Sequence, residues 1–293
     1  MRMGKRFLLA SLVGLAIAGE ASALAVYGVT TIGNSLVRFD SASPGTINST
    51  VTVTGLAAGA TLRGIDFRPV DGLLYGMSSD SRLYTINLST GVATAIGPGG
   101  GFLLNGTTFG FDFNPVPDRI RVTSDTEQNL RLNPNTGALA ATDAALAYAG
   151  TDPNAAANPN IVGSAYTNSF SGATTTTLFG IDSALDILVT QAPPNAGTLN
   201  TVGSLGFNTS DQVGFDIFFF DNRAFASLTT PGAFSSLFSI NLATGAATSI
   251  GAIGSNLTIA DIAIQQVPEP GTMALLAAAL LGSLAVRSRR RLK

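Results

Sequence analysis

Four related phrases set the architecture of this chain. Gly64-Ile65-Asp66-Phe67, Gly110-Phe111-Asp112-Phe113, Gly163-Ser164-Ala165-Tyr166 and Gly214-Phe215-Asp216-Ile217 each open a unit of short strands, with starts 46, 53 and 51 residues apart. A period of about 40–50 residues made of short strands predicts the blades of a β-propeller. Within a unit the strands follow from alternation and turn punctuation: Leu83–Ile86 and Val92–Ile96 flank the turn Asn87-Leu88-Ser89-Thr90-Gly91. The same turn recurs as Asn133-Pro134-Asn135-Thr136-Gly137 and as Asn241-Leu242-Ala243-Thr244-Gly245. Its final glycine is free to take positive φ, so the phrase marks the hairpin between the two outer strands.

A fifth unit is split between the two ends of the body. Ile259-Ala260-Asp261-Ile262 reads as a first strand with no partners after it, whereas residues 25–30, 35–40 and 47–54 read as three strands with no first strand before them. Joining these ends closes the ring and removes open sheet edges. The expectation is an all-β propeller of five four-stranded blades, or six if the third unit hides extra strands. A sandwich or a solenoid is the competing architecture.

Both termini read as targeting segments. Arg2, Lys5 and Arg6 precede the apolar run 7–18, and Ala21-Ser22-Ala23 offers a small-x-small cleavage site, so residues 1–23 read as a secretory signal peptide. At the other end, Val267-Pro268-Glu269-Pro270-Gly271 is held extended by its two prolines. An uncharged Ala/Leu-rich stretch follows over 273–286, then Arg287, Arg289, Arg290, Arg291 and Lys293. Fourteen residues are short against the roughly 20 of a usual transmembrane helix. The stretch therefore spans a bilayer only with local thinning, its basic end held on the cytoplasmic side.

The order of these tail segments resembles the PEP-CTERM sorting signal of Gram-negative bacteria, over residues 267–293 only. The resemblance implies recognition by an exosortase-type membrane protease, a transient stay in the inner membrane through a C-terminal helix, cleavage near Pro-Glu-Pro, and delivery to the outer surface or beyond. It also implies association with extracellular polysaccharide and biofilm, or with other surface proteins. The body, 24–266, is similar to a bacterial domain family of unknown function found in secreted proteins. The phrases that carry this are GIDFRP, GFDFNPVPDRIRV, QNLRLNPNTG, AYTNS and QAPPNAGTLNTVG. That resemblance implies a propeller-like fold and no established activity.

Composition narrows the chemistry. Residues 24–266 carry sixteen acidic side chains against eight basic ones, all arginine. Such a body repels nucleic-acid backbones, so no nucleic-acid partner is expected. The chain contains no cysteine and no histidine. No disulfide, histidine-based triad or histidine zinc site is available, and no catalytic residue is identified. A hydrolase would have to work with carboxylates alone.

The repeat places Asp66, Asp112, Asp216 and Asp261 at equivalent positions on the innermost strands, with Ala165 in the third unit. Four such carboxylates are candidate ligands for Ca²⁺, a hard cation that takes oxygen donors. Alternatively they accept backbone hydrogen bonds between blades, or pair with arginine. Arg119, Arg121 and Arg131 offer a face for acidic sugars through their forked guanidinium groups, or an ion-pair network. The long loops 143–160 and 191–197 are the other candidate binding segments, with Asp152, Asn154, Asn158 and Asn160 weighed as calcium ligands. The expected protein is a non-catalytic exported binding or structural module without a required cofactor. The rivals are a carboxylate-dependent enzyme acting on glycans and a calcium-stabilised module.

Overall fold

A computed structural model describes residues 23–266. The proposed signal and sorting segments, including Ala21, Val267 to Gly271 and Arg287 to Arg291, lie outside the described residues; Ala23 is the first of those described.

Strand pairing produces five separate sheets, arranged as the blades of a ring. The first blade consists of Leu62–Phe67, Leu74–Ser78, Arg82–Ile86 and Ala93–Ile96. The second contains Phe109–Asn114, Arg119–Ser124, Asn129–Leu132 and Leu139–Thr142. The fourth contains Gly214–Ile217, Ala224–Thr229, Ser235–Ile240 and Ala247–Ala252. In the fifth, the C-terminal strand Ile259–Ile264 pairs with Ala25–Thr30, followed by Ser35–Asp40 and Ser43–Thr52. The ring thus closes by joining the two ends of the body, as the split repeat predicts.

The third blade departs from the four-strand expectation. Ile161–Tyr166, Leu178–Asp182, Ile187–Gln191 and Thr198–Ser204 form the meander, and Ala147–Tyr148 adds a short fifth strand parallel to the outermost one. The long connection from the second blade runs along that outer edge. Part of its length covers strand donors and acceptors that would otherwise face water.

The glycine of each opening phrase has a steric reason. A Cβ on Gly64 would collide with the Cβ of Phe111, and one on Gly214 would meet the backbone of Asp261 and Ile262. Inner strands of neighbouring blades therefore approach closely at this level. At the outer rim, Asn87, Asn133 and Asn241 use their side-chain Oδ1 to accept turn amides. Gly91, at φ 72°, turns the chain where a Cβ would strike the carbonyl of Thr52 in the preceding blade.

Apolar cores lie between blades. Val29, Leu36, Phe67 and Tyr84 join the fifth blade to the first, and Met77, Phe111, Phe113 and Val122 join the first to the second. Val162, Ile181, Phe215 and Leu228 join the third to the fourth, and Val37, Phe225, Leu237 and Ile262 join the fourth to the fifth. The joint between the second and third blades is different and is built largely from polar side chains.

Candidate functional site

The four repeat aspartates all come to the centre of the ring, and all are buried, at 2–3 % exposure. Each reaches across to the inner strand of the next blade. Asp66 accepts the Phe67 amide at 2.6 Å and the Phe113 amide at 2.8 Å. Asp112 accepts from Tyr166 at 3.1 Å, Asp216 from Ile264 at 2.5 Å, and Asp261 from Ile65 at 2.9 Å. The third blade, with Ala165, makes no such link to the fourth. Backbone donors that the narrow ring would otherwise leave unpaired are thereby satisfied.

Carboxylate oxygens of Asp66, Asp112 and Asp216 lie within 4.8 Å of one another. Burial pushes the carboxyl of Asp66 well up, and the neighbouring Asp216 adds to it; Asp112 rises for the same reasons, with Asp66 beside it. Burial also raises Asp261, and lifts Asp216 to about 7. Like charges this close cannot all ionise in a dry site, so protons are shared within the cluster at neutral pH. Three converging carboxylate oxygens are part of the roughly six to eight oxygens that Ca²⁺ takes. The sequence-derived residues are thus brought together, with Asp261 just outside the tightest group.

The arginine face is not a face. Arg121 is 1 % exposed, and its donors are directed to four groups inside the protein. Nη1 donates to Asn129 and Asp143 at 2.6 Å each, Nη2 to Asn195 at 2.8 Å, and Nε to Tyr166 Oη at 3.3 Å. Arg131 grips the same Asp143 with two bonds, at 2.8 and 2.9 Å. Burial alone would raise Asp143, but the hydrogen bonds from Arg131 and Arg121 prevail and hold its carboxyl below the usual range. With its fork engaged internally, Arg121 cannot grip an external acidic sugar. It fastens the second blade to the third, which no apolar cluster among the described residues joins.

The loop residues weighed as calcium ligands are also engaged. Asp152 accepts the Thr201 amide and hydroxyl, at 2.6 and 2.8 Å. Asn154, Asn158 and Asn160 donate from their NH₂ groups to Thr201, Glu127 and Ser183. Sequence reasoning missed Asn195 and Gln191 as parts of the joint. Gln191 donates to Asn129 at 3.2 Å and to the Pro194 carbonyl at 2.6 Å. The only signal was the extra length of the 191–197 loop.

Among the described residues, a small surface cleft includes Arg63 and Asp211, and two larger shallow ones have uncharged linings. One, of about 310 Å³, lies beside the 253–258 loop and is lined by Thr30, Ser35, Ile47, Thr50, Asn256 and Thr258, among others. The other, of about 270 Å³, includes Thr85, Asn87, Thr90 and Thr94. Neither contains a titratable side chain.

Comparison with known proteins places two segments. Residues 266–291 match the PEP-CTERM protein-sorting motif, which implies exosortase processing and export across the inner membrane to the cell surface or beyond. No curated protein matches the chain. Among solved structures, a nidogen/laminin complex is 13 % identical at a TM-score of 0.46, covering 83 % of this chain and 98 % of that one. A Bacteroides thetaiotaomicron protein of unknown function is 12 % identical at 0.48, covering 82 % and 62 %. Myxococcus xanthus glutaminyl cyclase is 12 % identical at 0.45, covering 83 % and 87 %. Scores this low carry no chemistry across. The body is assigned by its own match over residues 35–263: the chain belongs to the family described as a domain of unknown function, DUF4394.

Proposed function

We propose that this exported protein is a non-catalytic surface module that binds neutral extracellular polysaccharide through the rim of its propeller. The observation that carries this reading is the chemistry of the two larger clefts. They present hydroxyl, amide and aliphatic groups, the usual complement of an uncharged sugar, and no acid or base. The four repeat aspartates, the carboxylates first considered for a glycosidase, are buried at the ring centre and bonded to backbone amides. A glycan array probed with residues 24–266 tests the proposal. Binding to one or more neutral polysaccharides, weakened by Asn256→Ala, is expected; no binding to any glycan overturns it. Turnover of a glycan, lost on Asp112→Asn in a folded variant, would establish the enzyme instead.

A calcium-stabilised module is the second reading, favoured by the mutual approach of Asp66, Asp112 and Asp216. A melting temperature raised by calcium and lowered by chelator at pH 7 would support it. An unchanged midpoint leaves the cluster as a purely protonic one.

A further inference from the structure

One face of the ring carries a repeated apolar residue where a turn is ordinarily polar. Val70, Val116 and Phe220 each fall four residues after the repeat aspartate, in the turn that follows an inner strand, and Phe170 occupies the corresponding turn of the third blade. They are 55, 47, 59 and 43 % exposed. Leu73 lies beside Val70, also exposed. In antiparallel meanders these turns share one face of the propeller, and hydrogen bonds link them from blade to blade. Arg68 of the first turn binds Asp118 of the second, and Asn168 of the third binds Asn222 of the fourth at 3.0 Å. Phe219 of the fourth donates its amide to Gln266 Oε1 at 3.0 Å, where the chain leaves the fifth blade for the tail.

Charge separates this face from the opposite one. Its acids Asp71, Asp118 and Asp221 are paired with Arg68 and Arg223. The opposite face also exposes Ile32, Leu103 and Phe234. Its loops, however, carry Asp80, Asp125, Glu127, Asp186 and Asp211, with only Arg63 and Arg82 near them at strand starts. A negatively charged face is repelled by anionic lipid, whereas a neutralised one with exposed apolar side chains is not.

The tether supplies the partner. Only residues 267–272 separate Gln266 from the apolar stretch beginning at Met273. Fully extended, six residues reach about 20 Å. While that stretch is in a bilayer, this face is held within about 20 Å of the hydrocarbon boundary, at a high effective concentration. Weak insertion of a few apolar side chains then suffices. We propose that the face bearing Val70, Leu73, Val116, Phe170 and Phe220 rests on the lipid surface of the inner membrane's outer leaflet before the tail is cleaved. The inference rests on the sorting role of the tail.

The chain contains no tryptophan, so a single introduced one is an unambiguous probe. Full-length Phe220→Trp and Phe234→Trp would be incorporated into phosphatidylcholine vesicles with brominated acyl chains. Co-flotation of both proteins with the vesicles reports on the tail. Several-fold stronger quenching at position 220 than at 234, with a blue-shifted emission, is expected. Serine at Val70, Val116 and Phe170 in the Phe220→Trp chain should remove most of that quenching. These side chains are exposed, and unchanged circular dichroism will verify the fold. Co-flotation with equal quenching at both positions overturns the proposal and leaves the tail's role intact; failure to co-float overturns both. Position 220 crosslinking to the exosortase in cells, with no quenching by lipid, assigns the face to the protease and also overturns the proposal.

Discussion

Two buried clusters of charge in this propeller solve the same problem by opposite means. At the ring centre, carboxylates meet with no cation among the described side chains, and they are stabilised by backbone amides and by retained protons. At the joint between the second and third blades, Asp143 is ionised between Arg121 and Arg131. The centre is built from one repeated residue, and the one unit that departs from it contributes Ala165, not a cation. The joint occurs once and can hold a specific partner set. It replaces an apolar core with a polar one, a solution that depends on every member being present.

Removing Arg121 should cause the largest effect. Arg121→Met removes a donor from Asn129 and from Asn195 and takes one cation from Asp143, at a cost of about 3–5 kcal/mol. Urea unfolding monitored by circular dichroism would measure it; a loss below about 1 kcal/mol would mean that packing, not the ion pair, holds the joint. At the centre the charge itself matters less than the acceptor. At pH 8, Asp216→Ala leaves the Ile217 and Ile264 amides unpaired and should cost about 1–3 kcal/mol. Asp216→Asn removes the charge and keeps one of the two acceptors, so its loss in the same experiment should be smaller than that of Asp216→Ala.

The two clusters should also respond to pH with opposite signs. Asp216 titrates near 7 in the folded protein against an ordinary value of 3.8. Between those values the folded state binds more protons than the unfolded one, so stability falls as pH rises through about 7. Asp143 is held low, so its contribution is present above the ordinary aspartate range and is lost as pH falls through its depressed value. The melting temperature should therefore rise from pH 8 to about pH 5 and fall again in stronger acid. Asp216→Asn should make the first limb shallower, with Asp66, Asp112 and Asp261 keeping part of it, and leave the second unchanged, which a melting series across pH would reveal. The smallest effect is expected at Arg131, a third exposed at its side chain. Arg131→Met leaves Asp143 with Arg121 and should cost less than about 1 kcal/mol by urea unfolding.

Much of the fold is legible in the chain because its determinants are local. Asn87, Asn133 and Asn241 make their turn bonds within three residues, and the glycine and aspartate of each opening phrase recur at blade spacing. The split fifth blade is legible from the same spacing. Three features were not. The strand Ala147–Tyr148 is two residues long and has no pattern of its own. The alternation around Arg119 and Arg131 suggests a surface, whereas Arg121 is enclosed by a loop more than 70 residues away. The exposed apolar turn residues were present at matching positions, but a valine after a proline in a turn attracts attention only when its exposure is known.

Blade number, ring closure and the tail's role as an address are properties of short phrases, and short-range chemistry is enough to read them. Which charges are paired, which are protonated, and which face is neutral depend on contacts such as Asp261 with Ile65, 196 residues apart. Burial changes the cost of a charge by more than any local pattern can signal. Only the closed ring establishes which side chains are buried together.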